Sequence, residues 1–198
     1  MNREEFLFKY WQYYLLLEDD FVKSTRFVEI DRINYKTFSI EYAKQYQSIC
    51  SEIDSICKSI CSFINSANKP ENMREYTNII LNNYNDIIYR KLIVKQNKEL
   101  LINTFNDWSI SPKYKAPSWW GRYNQVKHNR VVNYYDASLE NVINSLGALF
   151  LLEIYLIKEI CKNDENAPDV SNRNSQLFII QDWETKCTIL GDATIVEF

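Results

Sequence analysis

The chain has 198 residues, the size of one domain or of one domain with a small appendage, and 46% of them are hydrophobic against 25% charged, which is enough apolar material for a packed core. Three glycines and four prolines are too few for the tight turns of a sandwich, a barrel or a doubly wound sheet, and three glycines nearly exclude a phosphate loop or a dinucleotide fingerprint. The net charge of -3 excludes a polycation, and five cysteines cannot all pair within one chain.

In chain order, residues 4–27 carry Phe, Tyr, Trp and Leu on nearly every face and predict a largely buried helix. Residues 31–36 read as a polar connection. A second helix is predicted over 38–64, with Tyr42, Tyr46, Ile49, Ile53, Cys57, Ile60 and Ile64 recurring at steps of three and four. Residues 65–69 interrupt it, and Pro70 suits the first turn of a third helix carrying Ile79, Ile80, Tyr84, Ile87 and Ile88. The end of that helix is open, and residues 92–94 are compatible with extended chain. Residues 108–117 form a loop with Pro112 and Pro117 as breakers. Ser118 suits an N-cap for a short helix over 119–132. Asp136 or Ser138 then caps a long helix with Leu139, Val142, Ile143, Leu146, Leu149, Phe150, Ile157 and Ile160 on its apolar side. Residues 163–175 read as a linker. The tail holds three β-prone runs, 177–180, 187–190 and 194–198, with Gly191-Asp192 placed to turn the last two into a hairpin. The expected fold is all-α, a bundle of four to six helices over residues 1–162, with a linker and a small β-prone C-terminal appendage over 163–198.

The start Met1-Asn2-Arg3-Glu4-Glu5 lacks the basic opening of a signal peptide, and the longest apolar stretch, 146–160, is interrupted by Glu153 and Lys158. A cytoplasmic protein with reduced thiols and no membrane span is the expectation. Cys50, Cys57 and Cys61 lie at helical spacing, but zinc wants four ligands, and buried thiols are the simpler reading. No metal or cofactor is expected.

The window from Trp108 to Tyr135 contains no Asp or Glu, yet it holds Lys113, Lys115, Arg122, Lys127 and Arg130 and the only histidine, His128. Charge of one sign gathered in one window suits an anionic partner such as RNA, against the plainer reading of a solvated face. Asn124 and His128 are four apart and share a helix face. Arg122 offers a planar fork for phosphate oxygens, and His128 can take and give a proton near neutral pH. Together these groups match what metal-free RNA cleavage needs: a base for the ribose 2′-OH, cations for the charged phosphorane, and an acid for the leaving 5′ oxygen. The plainer reading makes Trp119, Trp120 and Tyr123 core anchors and His128 a hydrogen-bonded structural residue.

This stretch resembles the HEPN superfamily, whose nuclease signature is Arg, four to six residues, then His. Here Arg122 and His128 have five residues between them. Trp119-Trp120, Tyr123-Asn124 and Lys127-His128-Asn129-Arg130, followed by a long apolar helix, look like a group of small bacterial HEPN-like proteins. Tyr123 follows Arg122 where the signature often has Asn or Asp, and the polar residue, Asn124, comes one later. The resemblance implies a helical bundle, a homodimer, and metal-independent endoribonuclease activity in phage defence or a toxin–antitoxin pair, with an antitoxin or defence-system partner. Arg122, Asn124 and His128 would then be catalytic, and Lys113, Lys115, Lys127 and Arg130 would bind RNA. The alternative is a non-catalytic helical module that binds RNA, a nucleotide or a protein through the same patch.

Overall fold

The computed structural model describes residues 1–67, 69–162, 174–182, 186–190 and 193–197. The chain opens with α1 (Arg3–Phe6), a π-helical turn (Leu7–Trp11) and α2 (Gln12–Ser24), which run on as one helix. Asn2 starts it with a reciprocal capping box: Glu5 N–H donates to Asn2 Oδ1 at 2.8 Å, and Asn2 N–H donates to Glu5 Oε2 at 3.1 Å. Phe6, Trp11, Tyr14 and Phe21 are buried, but Phe8 and Leu16 are 59% and 61% exposed. The expectation of a helix buried nearly all round is therefore corrected: one apolar face stays open.

The core is built on α3 (Ile40–Ile64) packed along α7 (Leu139–Lys162). Ser39 starts α3, its Oγ accepting Tyr42 N–H at 3.0 Å. Tyr42, Tyr46, Ile49, Ile53, Cys57 and Ile60 are buried along the predicted stripe, and Ile64 is half-buried at its end. Each such isoleucine removed from water contributes roughly 1.5–3 kcal/mol. Length and composition would let Leu139–Cys161 cross a bilayer, despite Glu153 and Lys158, but 72% of its most apolar stretch is buried inside the protein.

In the chain between them comes α4 (Met73–Asn83), which packs on α3 and is capped by Asn72, with Glu75 N–H donating to its Oδ1 at 3.1 Å. Pro70 precedes this cap and is not in the first turn, as the sequence suggested. The predicted extended run is β1 (Leu92–Val94), and it pairs antiparallel with β2 (Asn97–Ile102), a strand the sequence reading did not contain. Next come α5 (Ser118–His128), α6 (Arg130–Asn133) and a 3₁₀ turn (Tyr134–Asp136) before α7.

The expected division after residue 162 is crossed by β3 (Phe178–Ile180), which pairs antiparallel with β1 in the order β2-β1-β3. Leu92 stands between Ile102 and Ile180, and the buried face of this sheet meets α7 at Gly147. A Cβ there would lie 2.9 Å from Leu92 Cδ1 and 3.2 Å from Ile102 Cδ1, so glycine lets helix and sheet approach. Buried Glu18 of α2 fastens the same segment: Gln176 and Leu177 N–H donate to its carboxylate at 2.9 and 3.2 Å, beside Tyr14 O–H at 2.7 Å and the Ser175 hydroxyl. The last strands, β4 (Lys186–Leu190) and β5 (Ala193–Glu197), pair antiparallel with Leu190 opposite Ala193. The Gly191-Asp192 turn, Phe198 and residues 163–173 of the expected linker lie outside the described residues. The protein is thus a helical bundle with a small antiparallel sheet set into it.

Candidate nucleic-acid interface

The loop before α5 is closed by Ser109 and Lys115, whose backbones exchange two hydrogen bonds of 3.0 Å. Buried Pro117 stands at the N-cap position of α5 and cannot supply a capping side chain. Asp107 does so from the loop: its carboxylate accepts Ser118 N–H at 3.2 Å and the Ser118 hydroxyl. Ser118 is therefore the first helical residue and not the cap that the sequence suggested.

Trp119, Tyr123 and Val126 occupy one side of α5 and are buried. Trp119 Nε1–H donates to the Thr104 carbonyl at 2.8 Å, and buried Tyr46 donates its O–H to the Trp119 carbonyl. Tyr123 packs edge-on against Tyr46 with ring centroids 5.9 Å apart. Half-buried Trp120 covers both, 6.0 Å from Trp119 and 5.2 Å from Tyr123. The double tryptophan is the scaffold that fixes α5 to the core.

The other side of α5 exposes Arg122, Gln125, Lys127 and His128, with Asn124 half-buried. Lys127 Nζ lies over the Tyr123 ring, 5.7 Å from its centroid. The continuous helix expected over 119–132 is broken at Asn129, whose φ is -148° and ψ 70°. Asn133 lowers the cost of the break, its side-chain amide donating to the carbonyls of Gln125 at 3.2 Å and Asn129 at 3.1 Å. Beyond it α6 carries exposed Arg130, with Val131 and Val132 also exposed.

Two acids bounding the acid-free window fold back onto it. Lys115 Nζ lies 3.2 Å from Asp107 Oδ2, and Arg122 Nη1 lies 3.5 Å from Asp136 Oδ1. Asp136 is buried and is not the cap of α7. Ser138 takes that place, with Asn141 N–H 3.5 Å from its Oγ, while Thr37 and Tyr35 carbonyls accept the N–H groups of Leu139 and Glu140. Burial pushes the Asp136 carboxyl above the ordinary carboxylate range, against the pull of Arg122 and Lys36.

Arg122 and His128 are not side by side in one chain. The six helical steps from one to the other separate them by about 9 Å along the axis and about 120° around it. Among the described residues, the side chains of His128 and Asn124 make no hydrogen bond or ion pair, so Asn124 orients neither catalytic candidate within a single chain. Lys113 is exposed, and so is Arg74 of α4, which stacks 4.7 Å over the Tyr114 ring. Sequence reasoning missed Arg74 because it lies in a different helix and is far from the basic window in sequence, though the fold brings it onto Tyr114.

Among the described residues no group of three or more His, Cys, Asp or Glu is arranged to hold a metal ion. Cys50, Cys57 and Cys61 are buried, and burial pushes their thiols up, that of Cys61 to about 12. A cleft of about 340 Å³ lies elsewhere, lined by Thr25, Glu29, Ile30, Asp31, Gln96 and Asn97. In comparisons with known proteins, no family matches the chain, and neither a curated protein nor a solved structure matches it.

Proposed function

We propose that this is an RNA-binding helical protein of HEPN type that takes the phosphate backbone along α5 and α6, and that paired chains cut the bound strand without a metal. The observation that carries this reading is that Arg122, Lys127 and His128 are exposed on α5, whose other side is fixed by buried Trp119, Tyr123 and Val126, and that exposed Arg130 follows on α6. Cations on a rigid helix can meet several phosphates at once, which is the sequence-independent part of RNA affinity.

In the cleavage step, Arg122 binds and polarises the scissile phosphate. One His128 removes the 2′-OH proton so that the 2′ oxygen attacks phosphorus, and a second group protonates the departing 5′ oxygen. The chain has one histidine, so a two-fold pair of chains is the simplest source of both an acid and a base. The apolar residues of α7 are taken up in the core, so the surface for such pairing is sought on α6, at Val131 and Val132, or on the open face of α1–α2, at Phe8 and Leu16. An effector of phage defence or a toxin–antitoxin pair is the setting this chemistry suits.

A second reading is favoured by the separation of Arg122 and His128 along α5: a non-catalytic module that binds RNA through the same face. RNA cleavage by purified protein in EDTA, comparing wild type with His128→Ala, decides between them. Cleavage that leaves 2′,3′-cyclic phosphate ends and disappears in the variant supports the nuclease. Binding without cleavage supports the module. A protein that neither binds nor cuts RNA overturns both.

A further inference from the structure

Asp136 stands in the 3₁₀ turn before α7, with 7% of its side chain exposed. Its Oδ1 lies 3.5 Å from Arg122 Nη1, and among the described residues its Oδ2 has no hydrogen-bond partner. A buried carboxylate with an oxygen unpaired is unfavourable unless a cation serves it. Lys36, the other cation acting on Asp136, is itself bound to Glu140 at 2.6 Å. Arg122 is therefore the cation on which Asp136 depends.

Arg122 uses little of its own capacity in this contact. Its side chain is 50% exposed, and its two polar contacts, to Asp136 and to Gln125 Oε1 at 3.5 Å, are both made by Nη1. Among the described residues, the edge formed by Nε and Nη2 has no partner. That edge is a planar fork able to donate two parallel hydrogen bonds to a phosphate. A guanidinium held by one corner, with its fork toward solvent, differs from an arginine spent on a structural pair.

We propose that Asp136 is a positioning residue that holds Arg122 by Nη1 and presents its Nε–Nη2 edge to a phosphate of the bound strand. The inference rests on the RNA reading above and adds to it a residue outside the basic window.

Charge and positioning make opposite predictions for Asp136→Asn. Removing a negative charge beside a phosphate-binding face tightens RNA binding if Asp136 acts only through its field. If Asp136 holds the fork in place, its loss weakens binding. The experiment measures the affinity of a fluorescently labelled polyuridine strand for wild type, Asp136→Asn, Arg122→Gln and the double variant, with far-UV circular dichroism confirming that each is folded. The expected result is a loss of about fivefold for Asp136→Asn, and no further loss when it is added to Arg122→Gln. Unchanged or tighter binding by Asp136→Asn, with Arg122→Gln still weakened, overturns the positioning role and leaves the RNA reading standing. Wild-type protein that binds no RNA overturns both.

If Asp136→Asn does not fold, Arg122→Lys carries the test. It keeps the charge but lacks the fork. Loss of affinity equal to that of Arg122→Gln supports the proposal, and affinity equal to wild type overturns it.

Discussion

Asp107 and Lys115 face each other at the start of α5, with Oδ2 and Nζ 3.2 Å apart, while the same carboxylate caps the helix through Ser118. The pairing ranks the basic residues. Lys115 must leave a carboxylate to meet a phosphate, whereas among the described residues Lys127 is held only over the Tyr123 ring. Lys127→Ala is expected to lower RNA affinity at low salt and to flatten the plot of log affinity against log salt by about 0.7 for a single strand. Lys115→Ala is expected to change that slope little. Filter binding between low and moderate salt measures both, and equal slopes for the two variants would refute the ranking.

Glu153 supplies a prediction about stability. It lies on α7 with none of its side chain exposed, and neither carboxylate oxygen has a partner among the described residues. Burial, with a contribution from Glu52, pushes its carboxyl well above the ordinary range. Its folded value exceeds its unfolded value, so its contribution is most favourable below the unfolded value and is lost as pH rises toward the folded one. The slope reaches at most about 1.4 kcal/mol per pH unit. Glu153→Gln removes this titration. Urea unfolding is expected to show variant and wild type close together at pH 4 and the variant more stable at pH 8. A wild type that is the more stable of the two at pH 8 would contradict the assignment.

The two described helical glycines should respond in opposite directions. A Cβ at Gly121 meets nothing within 4 Å, so Gly121→Ala is expected to stabilise the protein by roughly 0.5–1 kcal/mol through helix propensity. Gly147 faces Leu92 and Ile102 at contact distance, and Gly147→Val is expected to cost about 1–3 kcal/mol by overpacking. Thermal unfolding of the two variants tests the pair.

If paired chains share one cleavage groove, a groove with a single His128 lacks either its acid or its base. Adding His128→Ala chains in excess to wild type is expected to suppress cleavage well beyond dilution, because mixed pairs are inactive. Sedimentation at micromolar concentration should show a dimer. A monomer with full activity would rule out the shared groove.

The two long core helices were legible from their sequence because apolar residues recur there at steps of three and four, from Tyr42 to Ile60 and from Leu139 to Ile160. β2 was not, because it opens with Asn97-Lys98-Glu99 and only Leu100 and Ile102 point inward. The break at Asn129 falls within Lys127-His128-Asn129-Arg130, where no apolar period exists to be interrupted. The basic window was legible as composition, but not the acids that meet it. Asp136 stands just ahead of an apolar run, as an N-cap would, and only the fold turns it toward Arg122 and gives the cap to Ser138.

Glu18 and its partners, Ser175 and Leu177, also set a schedule for synthesis. Glu18 and Ser175 are 157 residues apart in the chain. At about 5–20 residues per second, a ribosome takes roughly 8–30 s to add that much chain. Throughout that interval the Glu18 carboxylate has Tyr14 but lacks the Ser175 hydroxyl and the Gln176 and Leu177 amides, and β1, once made, lacks its outer neighbour β3. The Glu18 carboxylate and the open edge of β1 remain solvated until residues 175–180 arrive, which makes this half-made protein a candidate client for a chaperone at the ribosome.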